Sequence, residues 1–167
     1  GPPAFHVLKL AFSPDGQVLA TSGGPTDAEI ALWEVASGRR IDILTAGDGY
    51  LYELEFSPDG TVLAAGGADG VTVWDVASGE VLAALDGRRP TFRPDGAVLA
   101  IAGADAITLW DFPSLQRVAT LVGHGGSTFT LAFSPDGTML AAAGSDRVRH
   151  PRHAVWLWDV GVMVHAA

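Results

Sequence analysis

The chain has 167 residues, 48% of them hydrophobic and 17% charged, a balance that excludes an intrinsically disordered segment. No apolar run approaches the roughly 18 residues that a membrane-crossing helix needs, and the absence of cysteine excludes disulfides and thiolate metal sites. A formal net charge of −9 argues against broad binding to nucleic acid or anionic lipid.

Taken in order, the chain opens on Gly1-Pro2-Pro3-Ala4, without the basic and apolar regions of a signal peptide and without an initiator methionine. The expectation is a piece of a longer protein, located in the cytoplasm. Leu8, Leu10 and Phe12 then alternate with small or polar residues, the period-two pattern of a strand with one buried face. Ser13-Pro14-Asp15-Gly16 follows as a tight turn. Proline presets φ at its second position, and glycine takes the left-handed conformation that leads into the next strand. Val18 to Thr21 is a small, apolar second strand, and a Gly-rich turn ending at Asp27 leads to a third from Ile30 to Glu34. After Ala36-Ser37-Gly38, a fourth strand runs from about Arg40 to Leu44.

The same series then repeats. Tyr52, Leu54 and Phe56 alternate before Ser57-Pro58-Asp59-Gly60, and Val62 to Ala65, Val71 to Asp75 and Val81 to Leu85 supply the following strands. A third unit has Phe92-Arg93-Pro94-Asp95-Gly96, Val98 to Ile101, Ile107 to Asp111 and Arg117 to Leu121, with Pro113-Ser114 where the earlier units have Ala-Ser-Gly. A fourth has Phe133-Ser134-Pro135-Asp136-Gly137, Met139 to Ala142 and Val155 to Asp159. The turn phenylalanines at 12, 56, 92 and 133 are 44, 36 and 41 residues apart, the spacing of one four-stranded propeller blade per unit. No helical periodicity interrupts them. Most of the acidic residues occupy repeat positions: four in the Pro-Asp-Gly turns, four after the repeat tryptophans, and Asp27, Asp69, Asp105 and Asp146. The acidity is therefore a property of the repeat before it is a sign of a basic partner.

Four copies of Phe-Ser/Arg-Pro-Asp-Gly, each followed by Trp-Asp or Trp-Glu, resemble the WD-repeat β-propeller family over nearly the whole chain. The resemblance implies an all-β fold of four-stranded antiparallel blades set radially about a channel. It places blades at about 5–45, 50–86, 88–122 and 127–166 of a single propeller segment. Gly123-His124 matches the family's Gly-His element, whereas Gly47-Asp48-Gly49 and Gly87-Arg88-Arg89 stand at that place in the second and third units. The family often ties a blade together through a Trp–Ser/Thr–His–Asp network. The fourth unit supplies His124, Asp146 and Trp158 but has Ala142 at the hydroxyl position; the first supplies Thr21, Asp27 and Trp33 without the histidine. Stability is accordingly expected from apolar packing, each missing bond forgoing about 1 kcal/mol.

Four blades leave an apolar face at each end of an open stack, and only Val160 to Ala167 remain for the last outer strand. A fragment of a longer propeller, a ring completed by a second copy or another protein, and a chain that closes alone all remain open. Regular spacing makes Trp33, Trp74, Trp110 and Trp158 packing residues rather than ligand platforms. The isolated Asp-Gly turns lack the alternating ligands of a calcium loop, and Ser134, His124 and Asp136 or Asp146 lack any nucleophile setting. No catalytic residue, metal site or cofactor is expected.

One stretch departs from the repeat. Arg147-Val148-Arg149-His150-Pro151-Arg152-His153 widens the Phe-to-Trp spacing of the fourth unit to 25 residues, against 18 in the second and third, and holds three of the nine arginines. By the family pattern it joins the second and third strands on the face that receives partners. Loops on a rigid scaffold carry binding residues, and arginine favours carboxylate or phosphate. The bland alternative is a solvated insertion. A histidine metal site there would need ligands beyond His150 and His153. Tyr50, at the head of the second unit's first strand, is a second contact candidate. The function expected is a non-catalytic module that binds a protein or peptide through loops on one face, with self-association to complete the ring also open. The competing classes are an enzyme with a channel-facing site, a regulatory segment of a larger signalling protein, and a nucleic-acid binder. Phe5-His6, Tyr50-Leu51 and Phe129 at the channel-facing strand starts offer no converging carboxylates, and a second basic patch is missing.

Overall fold

The computed structural model describes residues 9–23, 29–47, 49–122, 127–145 and 153–161, the side chain of His153 excepted. They form fifteen strands in four sheets, with every pairing antiparallel and every sheet a meander of sequence neighbours. The first sheet contains β1 (Lys9–Phe12), β2 (Val18–Ser22), β3 (Glu29–Glu34) and β4 (Arg39–Thr45); the second contains β5 (Leu51–Phe56), β6 (Val62–Gly67), β7 (Val71–Asp75) and β8 (Val81–Leu85). The third contains β9 (Arg89–Phe92), β10 (Val98–Ala102), β11 (Ala106–Asp111) and β12 (Arg117–Val122). The fourth has three strands among the described residues, β13 (Thr128–Phe133), β14 (Met139–Ser145) and β15 (His153–Asp159). These are propeller blades, and no strand set closes into a barrel. The chain divides into two compact units, Gly1–Arg88 and Arg89–Ala167.

In the first unit, one core joins the first two sheets. Ala20, Ile30, Leu32 and Leu44 pack against Leu54, Phe56, Leu63, Ala65 and Trp74. The second unit repeats that construction. Val98, Ala100, Ala102, Ile107, Leu109 and Leu121 meet Leu140 and Ala142, with Leu131, Phe133, Trp156 and Trp158 packed on the same cluster. A row of Phe, Leu and Trp from one sheet thus lies on a row of Ala, Leu and Ile from its neighbour, and this burial of apolar area is the main stabilising term.

The Ser-Pro-Asp-Gly turns are built alike. Each turn serine donates from Oγ to the aspartate, over 2.6 Å at Ser13 and Ser57 and 2.5 Å at Ser134. The same Oγ receives the amide of Val18, Val62 or Met139. Gly16, Gly60, Gly96 and Gly137 all sit at φ between 70° and 75°, the left-handed region that only glycine enters without cost. At the same end of each sheet, beside these turns, the acid after the tryptophan organises the next turn. Ser37, Ser78 and Ser114 donate to Glu34, Asp75 and Asp111 respectively. In the third of these turns Leu115 adopts φ 55° where Gly38 and Gly79 stand in the others, so a residue with a Cβ carries the strain there.

Hydrogen bonding from the turn serine and the following amide holds the carboxyls of Asp15, Asp59 and Asp136 below the usual carboxylate range, and the Ser78 amide and hydroxyl do the same for Asp75. A carboxyl whose folded value is depressed contributes stability above its unfolded value and loses it as pH falls through the folded one. The melting temperature is therefore expected to be flat from pH 7 to about 5 and to fall below about 4. Replacing Asp15, Asp59 and Asp136 together with asparagine should flatten that acid limb in a series of thermal melts. A limb of unchanged steepness would assign acid sensitivity to other groups.

The outer strands hold a regular irregularity. The register slips between Leu32 and Trp33, between Val73 and Trp74, and between Leu109 and Trp110. The extra residues on the outer strands, Ile41, Leu82 and Val118, are all exposed, because a bulge turns its additional side chain away from the ladder.

Candidate functional site

One end of every sheet carries the tight serine-containing turns and the other carries the variable connections. At that second end of the second sheet lies a cleft of about 260 Å³. Tyr50, Gly67, Asp69, Gly70 and Asp86 are among its lining residues. Four strand ends build it: the start of β5, the end of β6, the start of β7 and the end of β8.

Its floor depends on close backbone approach. β5 is bulged between Leu51 and Glu53, opposite the last residues of β6. The Ala68 amide donates to the Tyr50 carbonyl over 3.1 Å, and the Gly67 amide to the Gly70 carbonyl over 2.8 Å. A Cβ on Gly67 would lie 2.8 Å from the Tyr50 carbonyl oxygen, so the chain can approach there only with glycine. Gly47 and Gly49 lie beside the Asp69 carboxylate with room to spare, and it is their φ of 70° and 111° that favours glycine there. β13 and β14 reproduce the arrangement in the fourth sheet, with a bulge between Thr128 and Thr130 and Gly144 against the Ser127 carbonyl.

Tyr50 stands half-exposed beside this cleft, and Asp69 and Asp86 are exposed at its rim. The cleft thus combines an aromatic ring, two carboxylates and a backbone held by hydrogen bonds. Such a site can seat a side chain or a short extended segment. It offers no nucleophile paired with a base. Among the described residues no three histidines or acids converge as a metal site.

The other candidates are dispersed. Arg147, Arg149, His150 and Arg152 lie outside the described residues, as do Asp27, His124 and Asp146. His153 opens β15, and only its backbone is described. Asp105 is exposed in the turn between β10 and β11. Trp74 is fully buried, and Trp33, Trp110 and Trp158 are partly buried. Trp33 Nε1 donates to Thr21 Oγ1 over 2.9 Å; Trp110 Nε1 instead finds Thr108 Oγ1, two residues back on its own strand, at the same distance.

Sequence reasoning missed two features. Gly47, Gly49 and Asp86 join Tyr50 only through the sheet's geometry. Arg93, which replaces the turn serine of the third unit, is buried and grips Asp95 with two nitrogens, Nε at 2.8 Å and Nη2 at 2.7 Å. That grip holds the Asp95 carboxyl below its ordinary range. The arginine stem also lies where a Cβ on Gly137 would be 3.0 Å from its Cγ, so the turns of the third and fourth sheets touch.

Antiparallel four-stranded blades with repeat tryptophans packed in or on their cores define a propeller-type repeat fold. The chain belongs to the WD domain, G-beta repeat family, whose profile matches residues 3–34, 38–75 and 115–148, more than half of its length. The second match begins one strand before its sheet, at β4 rather than β5, so the sequence repeat and the structural blade are out of phase by one strand. The stretch between the second and third matches, residues 76–114, contains β8 to β11 and Arg93. No curated protein matches the chain in sequence. Among solved structures, Kuenenia stuttgartiensis hydrazine synthase is similar over 97% of this chain, with a TM-score of 0.79 and 19% identity. This chain spans 50% of that one. At that identity, and with 1182 solved chains matching, the likeness speaks for the fold and not for any activity. Among the described residues no helix is long and apolar enough to cross a membrane.

Proposed function

We propose that the chain is a non-catalytic scaffold module that holds a protein or peptide at the loop-bearing end of its blades. The half-exposed ring of Tyr50 at the rim of the glycine-floored cleft carries this reading. Tyrosine supplies rigid contact area with a polar tip, and a few anchors of this kind dominate binding energy. The surrounding sheet is pre-organised, which lowers the ordering cost of association. Arg147, Arg149 and Arg152, with His150 and His153, form a second proposed contact set for anionic groups, on the connection between the second and third strands of the fourth blade.

Selection of a displayed random-peptide library on the 167-residue chain tests the assignment. Peptides selected on the native chain should bind Tyr50→Ala at least about tenfold more weakly, the ~1.4 kcal/mol expected of one anchor. Peptides indifferent to Tyr50→Ala would remove the cleft from the binding surface. Peptides that instead lose affinity when the three arginines become alanine would move the site to the fourth blade.

A further inference from the structure

Each internal contact between sheets has two sides. The inserting side is the row Phe56, Leu63 and Trp74 in the first unit, and Phe133, Leu140 and Trp158 in the second. The receiving side is Ala20, Leu32 and Ile30 in the first unit, and Ala100, Leu109 and Ile107 in the second. Registered strand partners share a face, so both sides can be followed into the two sheets that end the series.

On the first sheet, Phe12, Leu19 and Trp33 are in register and form an inserting row, with Leu10 beside Phe12 on the same face. The Leu10 and Phe12 end of that row is exposed, and Leu19 and Trp33 are partly buried. Phe12 is 57% exposed and Leu10 62%, whereas the equivalent Phe56 is 7% exposed and Leu54 6%. On the fourth sheet, Ala141 pairs with Leu157 and Ala143 with Val155, the arrangement of a receiving row. Leu157 and Val155 are 65% and 69% exposed, against 1% and 0% for the equivalent Leu32 and Ile30. Among the described residues the chain therefore exposes one further copy of each half of the contact that is made within each of its two units. Exposed contiguous apolar surface of this kind marks an interaction site.

We propose that the occupant of each face is a second copy of this chain, joined head to tail. The Leu10, Phe12 and Trp33 face of one copy packs on the Val155 and Leu157 face of the other, in the geometry already present between neighbouring blades. The interface is heterologous, and two copies satisfy both faces when the contact is reciprocal. This inference is independent of the Tyr50 cleft, which lies at the end of a sheet and not on its face.

Light scattering and native mass spectrometry over a dilution series test it. The native chain should be a dimer. Leu10→Asp with Phe12→Asp, and separately Val155→Asp with Leu157→Asp, should each raise the dissociation constant at least tenfold. An equimolar mixture of the two variants should recover a dimer, because one intact face of each kind remains. All four positions are exposed on the single copy, so each variant should keep the native circular-dichroism spectrum; should either fail to fold, Phe12→Ser and Leu157→Ser take their place. A native chain that stays monomeric throughout overturns the proposal and leaves further blades as the cover. Loss of association in only one variant pair, or no recovery on mixing, overturns the head-to-tail contact.

Discussion

Replacing Trp74 with alanine is expected to destabilise the chain by about 3–5 kcal/mol, the cost of deleting a large aromatic side chain from a packed core. Trp74 is fully buried in the cluster that joins the first two sheets, on the row that begins with Phe56 and Leu63. No rearrangement of Ala20 or Ala65 can fill the void, because neither has side-chain length to extend. A domain's whole stability is on the order of 5–15 kcal/mol, so much of the variant should be unfolded at 37 °C. Trp33→Ala provides the comparison. The same repeat position lies there on the uncovered face of the first sheet, and the tryptophan is only partly buried. In the dissociated single copy, at a concentration below the dimer's dissociation constant, it should cost about half as much or less, part of that being the bond to Thr21 at about 1 kcal/mol. Urea unfolding of both variants measures the difference. Equal losses would mean that the two faces are equally covered in solution, as a tight dimer would make them. A loss below about 1 kcal/mol at Trp74 would contradict the packing described.

The first strands were legible because one face is in apolar contact and the sequence alternates, as Tyr52, Leu54 and Phe56 do, and the second strands as short apolar runs, of which β6 and β10 are buried throughout. The turns were legible for a different reason. Ser-Pro-Asp-Gly encodes its own hydrogen bonds, from the serine hydroxyl to the aspartate and from the following amides back to both. The illegible features leave no mark on the local pattern. The outer strands β4, β8 and β12 are largely exposed, so they have no regular buried alternation for the additional residues Ile41, Leu82 and Val118 to interrupt. Arg93 reads as a tolerated variant of serine until its guanidinium is seen paired with Asp95 and its stem against Gly137. Tyr50 could be named as an aromatic at a strand start. Its cleft could not, because Gly47, Gly49 and Asp69 meet only when β6 and β7 fold back. The arginine-rich stretch of the fourth unit is plain in the sequence as a departure from the repeat, and it lies outside the described residues.

Gly67→Ala should destabilise the chain by about 2–3 kcal/mol and abolish binding at the Tyr50 cleft in the same step. Gly67 is not in the left-handed region, so the argument is one of space rather than backbone conformation. An added Cβ would meet the Tyr50 carbonyl oxygen at 2.8 Å and Leu51 Cδ2 at 3.2 Å. The leucine tip can move by a few tenths of an ångström. The carbonyl belongs to the backbone that starts β5, and it can withdraw only by breaking its 3.1 Å bond from the Ala68 amide. Overpacking of this kind costs about 1–3 kcal/mol, and a lost backbone hydrogen bond adds about 1 kcal/mol. The two effects have separate readouts. Chemical denaturation reports the stability loss, while binding of a Tyr50-dependent peptide below the melting transition reports the displaced ring. Tyr50→Ala, by contrast, should weaken that peptide and leave the denaturation midpoint nearly unchanged, since its side chain is half-exposed. If Gly67→Ala lowered stability but left peptide affinity intact, the cleft floor would be a folding element alone, and the contact surface would lie elsewhere on the blades.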